Sequence, residues 1–255
     1  MDLQLKGKTA FISGSSQGIG FAIAEQLLKE GATVIINGRN KEKLDQAVER
    51  LQPLGTVSGI AGDIAAITDQ VPAVDILVNN AGIFELKSFF DLTDDEWLHF
   101  FNVNVMSSVR LSRALMPAML AKNWGRIIFI SSESGVNIPA NMIHYGMTKT
   151  AMLSISRGLA QLTKGTAVTV NTILGGPTYS DGVRMTIESI AAAQNLPAAV
   201  LKENIFAATN PGSLIQRFLQ PDEIAQLATY LASPLSIATN GAALRADGGV
   251  LNTIL

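Results

Sequence analysis

Short apolar runs alternate along the chain with longer stretches of helical spacing. Thr9–Ser13, Thr33–Asn37, Thr56–Ala61, Asp75–Asn79, Arg126–Ser131, Ala167–Leu174 and Ala242–Arg245 are brief and nearly continuously apolar. Strands covered on both faces have this pattern, because no position turns towards water. Between them, Gly18–Glu30, Lys41–Leu51, Asp94–Lys122, His144–Thr163 and Pro221–Ala232 carry helical spacing. Gly31 stands where a helix C-cap belongs. Alternating strand and helix predict right-handed crossovers and an α/β doubly wound parallel sheet with helices on both faces. No repeat, low-complexity tract or linker interrupts the chain, so residues 1–255 read as one domain. The run from Tyr179 to Leu219 is too long for a plain connection and predicts a mobile substrate lid. Ligands of such sheets bind outside the carboxyl ends of the strands, so the chemistry is sought there.

Composition narrows the field. Lys and Arg number 19 against 21 Asp and Glu, a net charge of −2, which speaks against a nucleic-acid partner. Hydrophobic residues make up 47% and the mean hydropathy is +0.28, enough for a large core and incompatible with disorder. Charged residues are only 16%, below the roughly 25% of an average soluble domain, which predicts apolar surface shared between subunits of a homo-oligomer. Cysteine is absent, excluding disulfides, thiolate metal sites and a cysteine nucleophile. With only His99 and His144 and no cysteine, no metal site is expected. There is no signal-peptide pattern and no apolar run long enough for a bilayer, so a cytoplasmic location without membrane contact is expected.

The first strand runs into Ser13-Gly14-Ser15-Ser16-Gln17-Gly18-Ile19-Gly20 and then a helix. Glycines there permit a tight turn and close approach of a pyrophosphate, and the helix N-terminus offers N–H groups to an anion. Gly14-x-Ser16-x-Gly18 also matches the nucleophile elbow of serine hydrolases. Against that stands the shortness of the chain before Ser16, which leaves no earlier strand for an oxyanion loop. The second strand ends Asn37-Gly38-Arg39-Asn40 with no acid for a ribose 2′-hydroxyl, and Arg39 suits a 2′-phosphate. That favours NADP over NAD, the alternative being that Arg39 caps a surface loop. Asp63, after the third strand, reads either as an acceptor for the adenine amino group or as a helix N-cap.

Tyr145 and Lys149 stand at i and i+4 on one helix face, and Ser132 ends the strand thirteen residues earlier. A phenol titrates near pH 10, and bringing it to neutrality takes about 4 kcal/mol, which a neighbouring ammonium helps to supply. The expected roles are proton exchange with a substrate oxygen by Tyr145, a hydrogen bond to the same oxygen from Ser132, and activation of the phenol by Lys149.

Together these residues resemble the short-chain dehydrogenase/reductase family over essentially the whole chain. The motifs are SGSSQGIG (13–20), GD (62–63), NNAG (79–82), Asn104 in FNVNV, ISSESG (130–135), YGMTK (145–149), NTILGGPT (171–178) and DGG (247–249). Within the family the chain looks most similar to bacterial 3-oxoacyl-carrier-protein-reductase-like members. The resemblance implies a Rossmann fold, NADP(H) as cofactor and a carbonyl or secondary-alcohol substrate. It also implies a Ser132–Tyr145–Lys149–Asn104 tetrad in which Asn104 orders a water. On this pattern Gly14, Ser16, Gln17, Gly18, Ile19 and Gly20 hold the pyrophosphate, with Arg39, Asp63, Ile64, Asn80, Ala81 and Gly82 on the adenosine side. Gly176 and Thr178 face the nicotinamide, and Tyr145 and Lys149 its ribose. Tetramers, or dimers, pair helices like 94–122 and 144–163 and a segment like 242–249. Gly175 replaces the family's usual proline, Gly38 replaces the acid of NAD-specific members, and the short stretch from Asp63 to Asp75 predicts a stunted helix.

His144 points about 100° from Tyr145 around the helix, which suits packing or solvent, and His99 reads as interface or core. Met142 and Met147 flank the tyrosine and fit either a substrate pocket or the core. A catalytically idle dinucleotide-binding sensor or scaffold is the alternative reading of the whole pattern.

Overall fold

The computed structural model describes residues 2–254; the end residues of the expected domain, Met1 and Leu255, lie outside the described residues. Seven parallel strands form one sheet in the order β3-β2-β1-β4-β5-β6-β7. They are β1 (Thr9–Ile12), β2 (Thr33–Gly38), β3 (Val57–Ala61), β4 (Ile76–Asn79), β5 (Gly125–Ser132), β6 (Val168–Gly175) and β7 (Ala243–Ala246). Strand β1 is flanked by β2 and by β4, so the winding reverses there and a crevice opens beyond the carboxyl ends of β1 and β4.

Side-chain alternation distributes the apolar residues over two cores. On β1, Ala10 and Ile12 join Ile23 and Leu27 of α1 (Gly18–Lys29) and Ile224 of α9 (Pro221–Ala232). Phe11 points the other way, among Leu111 and Met119 of α5 (Ser107–Ala121) and Met152 of α6 (Ile143–Gln161). β5 splits likewise, Ile128 and Ile130 on the first face and Ile127 and Phe129 on the second. Gly31, at φ +86°, ends α1 as expected. Asn40 caps α2 (Lys41–Leu51) by accepting from the Lys43 N–H.

Three expectations need correction or refinement. β3 is not covered on both faces: it is the edge strand, Ser58, Gly59 and Ala61 are exposed, and α2 packs only on one side. The helix expected over 94–122 is two helices, α4 (Asp94–Phe101) and α5, joined by a π-helical turn at Asn102–Met106. The cause is Asn104: it accepts from the Ile83 N–H and donates to the Ile83 carbonyl and to Thr148, so the turn widens to bring its buried side chain to those partners. The 179–219 segment is mostly helical: α7 (Asp181–Ala193) and α8 (Ala198–Thr209) close a small cluster of Ile187, Ala191 and Leu201 against Tyr179 and Phe218. The stunted helix is present as α3 (Ile64–Ile67).

Candidate active site

A cleft of about 650 Å³ lies over the carboxyl ends of β1, β2 and β4. Its wall carries Gly14, Ser16, Gln17, Gly18 and Ile19 from the glycine loop, Arg39 after β2, Asp63 and Ile64, and Asn80, Ala81 and Gly82 after β4. The loop is tied down from three strands. Ser13 Oγ accepts from the Asn80 and Ala81 N–H groups, and Asn80 donates back to the carbonyls of Ser13 and Gly14. Asn37 accepts from the Gly14 N–H and donates to the carbonyls of Ile60 and Gly62, joining β1, β2 and β3 at one side chain. Gly14 has φ +61°, and a Cβ there would lie 2.9 Å from Ala81 Cα. Gly20 is off the cleft wall; a Cβ on it would lie 2.5 Å from Asn80 Nδ2, so it is the packing glycine of the motif. α1 begins without a side-chain cap from Gln17, and its Gly18 N–H donates to Asp181 of α7 at 2.9 Å.

Arg39 is exposed on the cleft wall, and the N-cap of α2 is its neighbour Asn40. Asp63 is an N-cap, its Oδ1 accepting from the Ala65 N–H, and it also borders the cleft. Beyond β6, Thr178 donates to the Gly176 carbonyl, and Gly176 lies so close to Asp247 that a Cβ would fall 2.6 Å from its backbone.

The second group of residues adjoins the cleft through Gly82 and Phe84. A Cβ on Gly82 would be 3.4 Å from Asn104 Oδ1 and 3.6 Å from Lys149 Nζ, so both polar groups converge on that glycine. Phe84 meets the Tyr145 ring edge-on at 6.4 Å. Ser132, at the end of β5, accepts from the Ser134 N–H and donates to Glu133 at 3.1 Å, and its hydroxyl also interacts with the Tyr145 phenol. Lys149 is buried and donates to the Ile130 carbonyl at 3.0 Å.

Electrostatics depart from the expectation for the phenol. Burial pushes Tyr145 up to about 12; the Ser132 hydroxyl opposes the rise and the charge of Glu133 adds to it. Lys149 does not offset this, because its ammonium is 5.5 Å from the Tyr145 ring centroid, turned to Ile130, and is itself pushed down to about 8 by burial. Within the protein alone, desolvation outweighs the cation. His144 is fully buried, packed on Phe100 at 4.2 Å, which is the packing role expected of it. His99, read as interface or core, is exposed on the cleft wall and so is not part of the core. Asn37, Glu133 and Asp181 went unread as site residues. Asn37 and Glu133 carried one signal, adjacency to a strand end.

The family model for short chain dehydrogenases matches residues 8–190. The chain belongs to the short-chain dehydrogenase/reductase family. It is 48% identical to the uncharacterised oxidoreductase YvrD of Bacillus subtilis, over 100% of both chains. It is 32% identical to the 3-oxoacyl-[acyl-carrier-protein] reductase FabG of Vibrio harveyi, over 97% of this chain and 99% of that one. The fold matches that of L-sorbose reductase from Gluconobacter frateurii, solved with NADPH and L-sorbose, at a TM-score of 0.92, 30% identity and full coverage of both chains. As a short-chain dehydrogenase/reductase the protein is an oxidoreductase of small-molecule substrates, and the hydrolase reading of Ser16 falls. No helix among the described residues is long and apolar enough to cross a membrane.

Proposed function

We propose that the protein is an NADP(H)-dependent reductase of a carbonyl group, or dehydrogenase of the matching secondary alcohol. The observation that carries this reading is the placement of Ser132, Tyr145 and Lys149 directly behind the Gly82–Phe84 wall of the cleft. The cleft fits a dinucleotide. Gly14 and Gly20 leave no room for a Cβ beside Ala81 and Asn80, so loop backbone stays at the surface, and α1 turns its N-terminus to the cleft with no cap from Gln17, its Gly18 N–H being held by Asp181. Gly14, Ser16, Gln17, Gly18 and Ile19 would hold the pyrophosphate, Asp63, Ile64, Asn80, Ala81 and Gly82 the adenosine side, and Gly176 and Thr178 the nicotinamide side. Arg39, with no acid beside it, would meet a 2′-phosphate, which supports NADP over NAD. NADPH bound there supplies the hydride.

The protein's residues handle the oxygen. Ser132 donates a hydrogen bond to the carbonyl oxygen, orienting it. Tyr145, with a phenol pushed up to about 12, is neutral near pH 7 and gives its proton to that oxygen as negative charge develops. Lys149 is a cation beside the phenol at neutral pH and would hold the cofactor ribose. Asn104 fastens the Ile83 segment to α6 through Thr148, fixing Gly82 against Lys149. Segment 179–219 acts as a substrate lid.

An apolar groove of about 330 Å³ on α5 and α6, bordered by Val109, Met116, Leu120, Ile155 and Leu159, supports a homo-oligomer, a tetramer or a dimer. The absence of cysteine suits a cytoplasmic protein. Tyr145→Phe tests the central claim: NADPH affinity is retained while turnover falls by about 10²–10⁴-fold. Unchanged turnover in the variant would refute the mechanism. NADPH binding by the wild type with no turnover of any ketone would favour an idle binding protein.

A further inference from the structure

Glu133 follows the reactive serine directly, and no part of the proposed reaction uses it. Its carboxylate accepts the Ser132 hydroxyl at 3.1 Å and lies near enough to Tyr145 for its charge to act on the phenol. It is half-buried, so part of the residue is open to solvent. Among the described residues no Lys, Arg or His forms an ion pair with it. Its acidic neighbour Asp247 is committed elsewhere, accepting from the Gly249 and Leu251 N–H groups, and offers repulsion in place of a counter-charge. Burial pushes the Glu133 carboxyl above the usual carboxylate range, the Ser134 and Ser132 hydroxyls pull it back, and Asp247 adds to the rise. When Ser132 turns its single hydroxyl proton to a carbonyl oxygen, the Glu133 carboxylate loses that donor and has no cation in its place, so a donor on the substrate can take the vacated position.

The reach is short. A carbonyl oxygen accepting from Ser132 sits about 2.7 Å from Oγ, which places it within roughly 6 Å of the Glu133 carboxylate. A substituent one or two carbons from the carbonyl therefore falls within hydrogen-bonding distance of Glu133. A hydroxyl there donates to the carboxylate. A carboxylate there meets like charge in a half-desolvated setting, and it brings no donor to replace the Ser132 proton.

We propose that Glu133 is a specificity-determining residue that selects ketones bearing a hydroxyl near the carbonyl and rejects keto acids. This rests on the carbonyl-reductase reading above. The test measures kcat/KM with NADPH for two size-matched pairs, hydroxyacetone against pyruvate and 4-hydroxybutan-2-one against acetoacetate. Wild type, Glu133→Gln, Glu133→Ala and Glu133→Asp are compared, each checked for folding by thermal melting. The wild type prefers the hydroxy member of each pair by tenfold or more. Glu133→Gln and Glu133→Ala shrink that ratio at least tenfold, mainly through faster turnover of the keto acids, and Glu133→Asp retains it. A wild-type preference for the keto acids, or a ratio that Glu133→Gln and Glu133→Ala leave unchanged, overturns the assignment while leaving the reductase intact. No turnover of any of the four ketones by wild type overturns the hydroxy-ketone assignment, and a wider ketone panel then decides the reductase reading separately.

Discussion

The hydrogen bond from Gly18 to Asp181 makes a quantitative demand on cofactor binding. Gly18 opens α1, where the unpaired N–H groups and the helix dipole offer positive potential to a phosphate. One of those N–H groups is taken, at 2.9 Å, by a carboxylate from α7, which is itself paired with Arg184 at 3.0 Å. A pyrophosphate docking on this turn must displace that carboxylate and then tolerate its charge. Asp181 and Arg184 are about half exposed, with side chains 42% and 48% accessible, so the hydrogen bond is discounted to about 1 kcal/mol. Repulsion between two anions about 4 Å apart in water adds about 1 kcal/mol. Replacing Asp181 by Ala removes both, so NADPH should bind roughly ten- to thirtyfold tighter. Asp181→Asn keeps an acceptor but loses the charge, and should gain about fivefold. Calorimetric or fluorescence titration with NADPH measures this, with Glu203→Ala, an exposed acid on α8, as the control for net charge. An unchanged or weaker affinity in Asp181→Ala would refute the competition.

Other consequences follow from the same geometry. Arg39→Asp should weaken NADPH binding more than tenfold relative to NADH, and equal effects on both would exclude a 2′-phosphate contact. Because the phenol is pushed up to about 12, alcohol oxidation, which needs a proton acceptor, should accelerate about tenfold per pH unit between 7 and 8. Ketone reduction, which needs the protonated phenol, should show no such rise. A flat oxidation profile over that range would contradict the assigned role of Tyr145. Arg126 is buried on β5 and donates to the carbonyls of Ser233, Gly125 and Ala167. Arg126→Ala strands those carbonyls and should cost about 3 kcal/mol, visible as a melting temperature roughly 10 °C lower. An unshifted melting curve would show that the three bonds contribute nothing.

Local pattern dictated a great deal of this molecule. The alternation of short apolar runs and helical periods predicts a parallel sheet because side-chain direction repeats every two residues in a strand and every 3.6 in a helix. That is why Ala10 and Ile12 pack against one layer and Phe11 against the other. The glycine loop and the Tyr145–Lys149 spacing were legible for the same reason, being properties of adjacent residues. Contacts between distant segments were not. The break between α4 and α5 arises because Asn104 bonds to Ile83 and Thr148, 21 and 44 residues away, and helical periodicity carries no record of those partners. Asp181 reaches Gly18 across 163 residues of sequence. The protonation behaviour of Tyr145 was likewise hidden. Spacing places an ammonium one turn from the phenol, but only the packed structure turns that ammonium to Ile130 and partly desolvates the phenol. Desolvation then prevails over charge.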